Sequence, residues 1–221
     1  CGRRVEGAVR PFCDACAAGL PWWRRADGCP RCGLPLDPER PGSEAGWGEG
    51  RLGAVGCPKC LAEGSALHRC LAATRYADPV PGLVLGVKNP RGPFGPRPAV
   101  RRAVEYLADE LARRVDAELG RAPDRIVPIP LHPRRLRRRG FNAADPIAHR
   151  IARRLDRPCD PTLLERIRDT GSQAGRSASD RRRNVRGAFR AREALSDGAA
   201  PILLVDDVLT TGSTLEAAAD A

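Results

Sequence analysis

Val205-Asp206-Asp207-Val208-Leu209-Thr210-Thr211-Gly212-Ser213-Thr214 is the stretch on which the reading of this chain turns. Ile202-Leu203-Leu204 before it reads as a short buried strand, and Leu215-Glu216-Ala217-Ala218-Ala219 after it reads as a helix start. Two carboxylates therefore sit at the carboxyl end of a strand, where open α/β sheets bind ligands. The turn that follows is rich in hydroxyls, and Gly212 lets backbone approach a ligand. Amides at a helix start beside Thr and Ser hydroxyls suit a phosphate, and paired carboxylates suit a ribose diol or a hydrated Mg²⁺. No lysine follows the glycine, so this is not a Walker loop.

The stretch resembles the phosphoribosyl-pyrophosphate (PRPP) loop of type I phosphoribosyltransferases. The resemblance implies that Asp206 and Asp207 are the catalytic pair facing the ribose hydroxyls. It also implies that Thr210, Thr211, Gly212, Ser213 and Thr214 wrap the 5′-phosphate, and that Mg²⁺ enters with PRPP.

Upstream of the loop the patterning alternates. Leu71 to Tyr76 reads as a strand and Val80 to Val87 as a short helix or second strand. Asn89 to Pro98 is a Pro/Gly-rich loop. In Ala99 to Leu119, Val100, Val104, Leu107, Leu111 and Val115 recur at helical spacing, which predicts an amphipathic helix with that stripe in the core. Arg125 to Pro130 predicts a strand entering a loop, and Ala143 to Leu155 another helix. The expected fold is α/β: a mainly parallel sheet flanked by helices, of the phosphoribosyltransferase type, over residues 71–221. The chain starts at Cys1, contains no methionine and stops at Ala221, barely into its last helix. It reads as a fragment trimmed at both ends, with the sheet edge beyond that helix incomplete.

Residues 1–70 differ in kind, being rich in Cys, Gly and Pro with little hydrophobic periodicity. Such a segment buries little core, so metal would have to supply folding free energy. Six of the nine cysteines form Cys-x-x-Cys pairs: Cys13/Cys16, Cys29/Cys32 and Cys57/Cys60. Two-residue spacing lets both thiolates of a pair reach one Zn²⁺, and two pairs complete a tetrahedron. Cys1-Gly2 followed by Cys13/Cys16 echoes Cys32-Gly33 followed by Cys57/Cys60. The echo favours two structural zinc ribbons in tandem: a complete site of Cys29, Cys32, Cys57 and Cys60, and a partial one of Cys1, Cys13 and Cys16. The rival arrangement joins Cys13/Cys16 to Cys29/Cys32. Gly48-Glu49-Gly50-Arg51-Leu52-Gly53 matches G-x-G-x-x-G literally, but no strand precedes it, and it reads as a ribbon loop. Cys70 and Cys159 read as small buried apolar residues.

The formal net charge is +11, and nearly all of the positive charge is arginine. Arg134, Arg135, Arg137, Arg138 and Arg139 form one block; Arg181, Arg182, Arg183 and Arg186 form another. Guanidinium suits two-pronged recognition of phosphate, so blocks beside a phosphate loop favour a polyanionic ligand. No apolar run approaches the ~20 residues of a membrane span, and a cytoplasmic protein is expected.

Three further stretches carry a second resemblance. They are Val127-Pro128-Ile129-Pro130-Leu131-His132-Pro133-Arg134-Arg135 leading to Gly140-Phe141-Asn142, then Arg166 through Phe189 with Gln173-Ala174-Gly175 and Asn184-Val185-Arg186-Gly187, then the acidic loop. In this order, behind a cysteine-rich ribbon, they are similar to the competence protein F (ComF) family, with Ala143 where the family tends to carry Gln. The family pairs a zinc ribbon with a phosphoribosyltransferase-like domain. The resemblance implies PRPP–Mg²⁺ binding by Asp206 and Asp207, with Arg134 and Arg135 meeting pyrophosphate and residues 166–186 forming a mobile hood. It also implies a part in DNA uptake during natural transformation, alongside a competence helicase or recombination mediator. Two functions of different class follow: a phosphoribosyltransferase whose acceptor the residues do not name, and a non-catalytic adaptor that binds single-stranded DNA. His132 fits either acid–base work or a turn held by a local hydrogen bond. His68 and His149 read as structural.

Overall fold

The computed structural model describes residues 11–35, 56–62, 64–88, 97–170, 178–193 and 200–221. Cys1, the Gly48–Gly53 run, nearly all of the 89–98 loop and residues 173–175 lie outside the described residues.

The centre of the molecule is a parallel pair, β1 (Arg125–Pro128) beside β4 (Ile202–Val205). Cys159 extends it on the far side of β1 through a parallel bridge to Ile126. Side chains alternate along a strand, so consecutive residues serve opposite faces. Ile126 faces α4 (Pro98–Leu119) and α6 (Ala144–Leu155), where it meets Ala108, Ala112, Ala148, Ile151 and Ala152. Val127 faces the other way, with Leu163, Leu164, Ala188, Phe189 and Ala218. These come from the antiparallel hairpin β2 (Leu164–Arg166) and β3 (Phe189–Ala191) and from α8 (Ser213–Ala219). The sheet is thus small and parallel, with helices on one face and a hairpin plus a helix on the other. Between β2 and β3 runs α7 (Ala178–Val185), within the stretch expected to act as a hood.

Two expectations need correction. Leu71 to Tyr76 is not a strand: it is an irregular strap whose one bridge among the described residues runs from Thr74 to Trp22. Arg114 holds it, donating to the carbonyls of Trp23 and Ala72, so the strap is fastened to α4 rather than to a sheet. The α4 stripe is incomplete: Val115 is buried and Leu111 packs against the core, as expected, but alanines 103, 108 and 112 are deeply buried too, because small side chains let α4 and α6 lie close. Val104, Leu107, Leu111 and Val115 also line a cavity of about 1160 Å³ that β4 and α3 (Val80–Lys88) border. Helix α3 settles the alternative left open for Val80 to Val87.

One polar clamp ties the two large helices. Asp109 of α4 accepts paired hydrogen bonds from both Arg150 and Arg154 of α6, at 2.5–2.8 Å. Burial alone would raise this carboxyl, but the two guanidinia outweigh it and hold it well below the ordinary range. A depressed folded-state pKa gives stability that is present at neutral pH and lost as pH falls below about 4. Asp109→Ala should lower unfolding free energy at pH 7 by about 2 kcal/mol, and the difference from wild type should shrink toward pH 2 in urea titrations.

Candidate functional site

Strand β4 ends at Val205, whose carbonyl accepts from the Ile129 amide, so the ends of β1 and β4 stop side by side. Asp206 and Asp207 emerge there and border the cavity. The Asp207 amide donates to Asp206 Oδ1 at 2.8 Å. Lys88, at the end of α3, brings Nζ to 3.0 Å from Asp207 Oδ2. Burial first, and the Asp207 charge second, push the Asp206 carboxyl up to about 7, against the pull of the amide bond and of Lys88. Two carboxylates stand side by side here, and Lys88 pairs with one of them. Such a pair fits a divalent cation or a diol that bridges it.

Two arginines interact electrostatically with these acids, Arg166 with Asp206 and Arg139 with Asp207, and Arg135 lies close enough to repel both. Arg166 is 6% exposed, stacks 5.2 Å from the Phe189 ring centroid and donates to Thr170 Oγ1. Burial and then Arg135 disfavour its charge, while Asp206 and Asp169 support it. Arg139 is likewise disfavoured by burial and by Arg135, and supported by Asp207. Like charges gathered at strand ends, and only partly neutralised, make an anion site. Arg134 stands apart, exposed in the first turn of α5 (Pro133–Arg139). His132 caps that helix: its Nδ1 accepts from the Arg134 amide at 3.3 Å and lies 3.9 Å from Asp169. The local hydrogen bond is therefore present, and it ties up Nδ1.

The remaining loop residues are arranged unevenly. Thr210 is exposed, Thr211 and Thr214 are half-buried, and Gly212 and Ser213 are buried. Thr211 and Ser213 share a hydroxyl hydrogen bond of 2.7 Å. Gly212 caps α8 with φ of 70°, a left-handed conformation that favours glycine, and the helix begins at Ser213 rather than Leu215. Asn142, buried, donates to the Ile129 carbonyl and to Asp145, fixing the turn that follows α5 against the end of β1.

A second site lies behind the loop. Cys29, Cys32, Cys57 and Cys60 are all buried, and their sulfurs lie within 4.8 Å of one another. Cys29–Cys60 and Cys32–Cys57 are 4.0 and 3.8 Å apart. A Zn²⁺ tetrahedron with Zn–S of about 2.3 Å has an S···S edge of about 3.8 Å, so the sulfurs fit such an ion. The Cys57 amide also donates to Cys29 Sγ at 3.2 Å. A hydrogen bond from Cys32 holds Cys29 down at about 4, while burial pushes Cys60 up to about 11. Four thiolates cannot coexist here without a cation. Cys13 and Cys16, half-buried at α1 (Asp14–Ala18), are not part of this cluster. Burial pushes the Cys70 thiol up to about 12, and its sulfur is not part of the cluster.

No family model matches the chain. Among curated proteins, it is 33% identical over 207 residues to the DNA utilization protein YhgH of Salmonella typhimurium, covering 92% of this chain and 80% of that protein. It is 35% identical over 162 residues to competence protein F of Haemophilus influenzae, covering 72% and 68%. The chain belongs to the competence protein F family. Another relative, the YhgH protein of Escherichia coli K12, is 33% identical over 189 residues, 85% of this chain and 74% of that protein. No solved structure matches.

The candidate site residues expected from sequence do not include Lys88, Arg139 or Arg166. Arg139 sat in a block read as a whole, and which arginines of a helix turn inward depends on tertiary packing. Arg166 carried a signal, an arginine inside a short apolar run (Leu163-Leu164-Glu165-Arg166-Ile167), since a charge there must find partners. No described helix is long and apolar enough to cross a membrane.

Proposed function

We propose that the protein binds a sugar phosphate of the PRPP type, with Mg²⁺, at the strand ends, and that it does so in the handling of DNA during uptake. The convergence of Asp206 and Asp207 with Lys88, Arg139 and Arg166 carries this reading, because it offers cation-binding and anion-binding groups within one site. Asp206 and Asp207 would hold the ribose hydroxyls and the cation; residues 210–214 would surround the 5′-phosphate. Arg135, Arg139 and Arg166 would take the pyrophosphate. Mg²⁺, if bound at Asp206 and Asp207, would supply positive charge against the phosphates of the ligand. The protein's own part is orientation and preorganised charge rather than covalent catalysis. In this reading residues 71–221 form a phosphoribosyltransferase-like domain and residues 1–70 a zinc-ribbon module. The names of the relatives, competence protein F and DNA utilization protein, support the DNA-uptake setting.

A second role has its own support. Arg134, Arg137 and Arg138 on α5 and Arg168, Arg182, Arg183 and Arg186 near the hairpin are exposed. An arginine-rich surface of this kind suits the backbone of single-stranded DNA. Calorimetry with PRPP and Mg²⁺ should show saturable binding to wild type and its loss in Asp207→Ala. Single-stranded DNA binding should weaken linearly in log–log salt titration if the arginines meet phosphates. Absence of PRPP binding to the wild-type protein would end the first reading, and salt-independent DNA binding the second.

A further inference from the structure

The four-cysteine unit and the acidic loop are built against each other. A Cβ placed on Gly212 would lie 2.7 Å from the carbonyl oxygen of Cys32, so the loop rests directly on the backbone of a metal-ligating residue. Gly33, next in the chain and at φ +68°, lies so close to Leu209 that any side chain there would overlap it. A third contact comes through Glu216 of α8. Its Oε2 accepts from Ser65 Oγ at 3.0 Å and its Oε1 from the Ala66 amide at 2.8 Å. The Ser65 carbonyl accepts in turn from Arg31, which stands between Cys29 and Cys32. The contacts close a ring: cysteine turn, Arg31, Ser65, Glu216, α8, Gly212 and back to Cys32.

We propose that the metal-filled cysteine turn positions the ligand loop, with Glu216 as the positioning residue, so that metal occupancy sets the affinity of the acidic site for its sugar phosphate. The proposal rests on the reading of that site given above. Its physical basis is the packing of the loop on the cysteine turn. Within the loop the Asp207 amide bonds to Asp206 and Thr211 to Ser213, and Lys88 pairs with Asp207 from outside. What walls in residues 209–213 is the cysteine turn. That turn is held within itself by the Cys29 amide on the Leu34 carbonyl and the Gly33 amide on the Cys29 carbonyl, and from outside by the Cys70 amide on the Pro30 carbonyl, Arg31 on Ser65 and the Cys57 amide on Cys29 Sγ. A metal joining Cys29 and Cys32 to Cys57 and Cys60 cross-links it to the next segment and fixes the Cys32 carbonyl. Without that cross-link the wall behind Gly212 is free to move, and loop amides and hydroxyls lose their common orientation.

The test compares four forms of the whole protein: zinc-loaded wild type, wild type stripped by chelation, Glu216→Ala and Glu216→Gln, the last two with zinc content verified. Hydrogen–deuterium exchange is followed for residues 206–213, with α4 and α6 as internal reference, and PRPP with Mg²⁺ is titrated by calorimetry. Stripping and Glu216→Ala should each speed exchange in the loop and weaken PRPP binding about tenfold, the size expected for loss of a charged hydrogen-bonded contact. Glu216→Gln keeps an acceptor for the Ala66 amide and should restore most of both. If stripping unfolds more than the cysteine region, Glu216→Ala with zinc in place decides alone. Unchanged loop exchange in Glu216→Ala, or changed exchange with unchanged affinity, would overturn the proposal. A wild type that binds no PRPP would instead defeat the functional reading, while the exchange comparison would still decide whether the cysteine turn orders the loop.

Discussion

Asp206→Asn should abolish binding of PRPP with Mg²⁺ and at the same time make the protein more stable at pH 8. The two effects share a cause. Burial and the Asp207 charge push the Asp206 carboxyl up to about 7, so ionising it in the folded protein costs free energy. A raised folded-state pKa favours folding below the unfolded value, near 4, and that contribution is lost as pH rises through 7. Asparagine removes the charge while keeping an oxygen to accept the Asp207 amide. The gain at pH 8 should be on the order of 2 kcal/mol, or about 4–8 °C in Tm, and should vanish near pH 4. Binding moves the other way, since a cation-held diol needs the ionised pair. Truncating one partner in a buried charged contact costs about 2–5 kcal/mol, so affinity should fall at least thirtyfold or so. In wild type, affinity should rise between pH 6 and pH 8 as Asp206 gives up its proton. Calorimetry across pH, paired with thermal melts of both proteins, checks each part. A variant that melts lower than wild type at pH 8 would show that Asp206 serves folding instead.

Much of the architecture is legible in the residues because local and tertiary signals agree there. Ile202 to Val205 is an apolar run before two carboxylates, and it becomes the strand whose end carries them. Pro98 and Gly120 bracket α4, which forms between them, proline pre-set for the first turn and glycine supplying the left-handed cap. Where the reading slips, packing has overruled pattern. Leu71 to Tyr76 has strand-like residues but, among the described residues, bridges only through Thr74 to Trp22, and Arg114 fastens it to α4. The α4 stripe was weighted by side-chain size, whereas close approach of two helices selects alanine. The short antiparallel hairpin of β2 and β3 is invisible in sequence because α7 and other residues separate its two three-residue strands. The site shows the same division. The acidic pair is a local motif and can be read directly, but Lys88 reaches Asp207 from 119 positions away, a pairing that only the fold creates.

Cys57→Ser should release the metal and unfold the segment around it, the largest stability effect expected in the molecule. The cysteine cluster has little apolar core of its own: among the described residues, Leu34 is the one partly buried hydrophobic packed against the four cysteines. A segment with so little buried hydrocarbon cannot offset its conformational entropy, and binding of a structural zinc, worth roughly 10–16 kcal/mol in small peptides, must do so. Serine offers a hard, protonated oxygen where a soft thiolate is needed. The substitution also deletes the S···S contact of 3.8 Å to Cys32 and changes the residue whose amide donates to Cys29. Zinc content should fall by one equivalent per chain, and limited proteolysis should cut within residues 56–70 under conditions that spare wild type. Cys70→Ser is the control. Its sulfur lies against Gly33, close to the cluster, yet it is not among the four sulfurs that lie within 4.8 Å of one another. Cys70→Ser should keep the full zinc content. If it lost an equivalent while Cys57→Ser did not, the ligand set would have to be redrawn around Cys70.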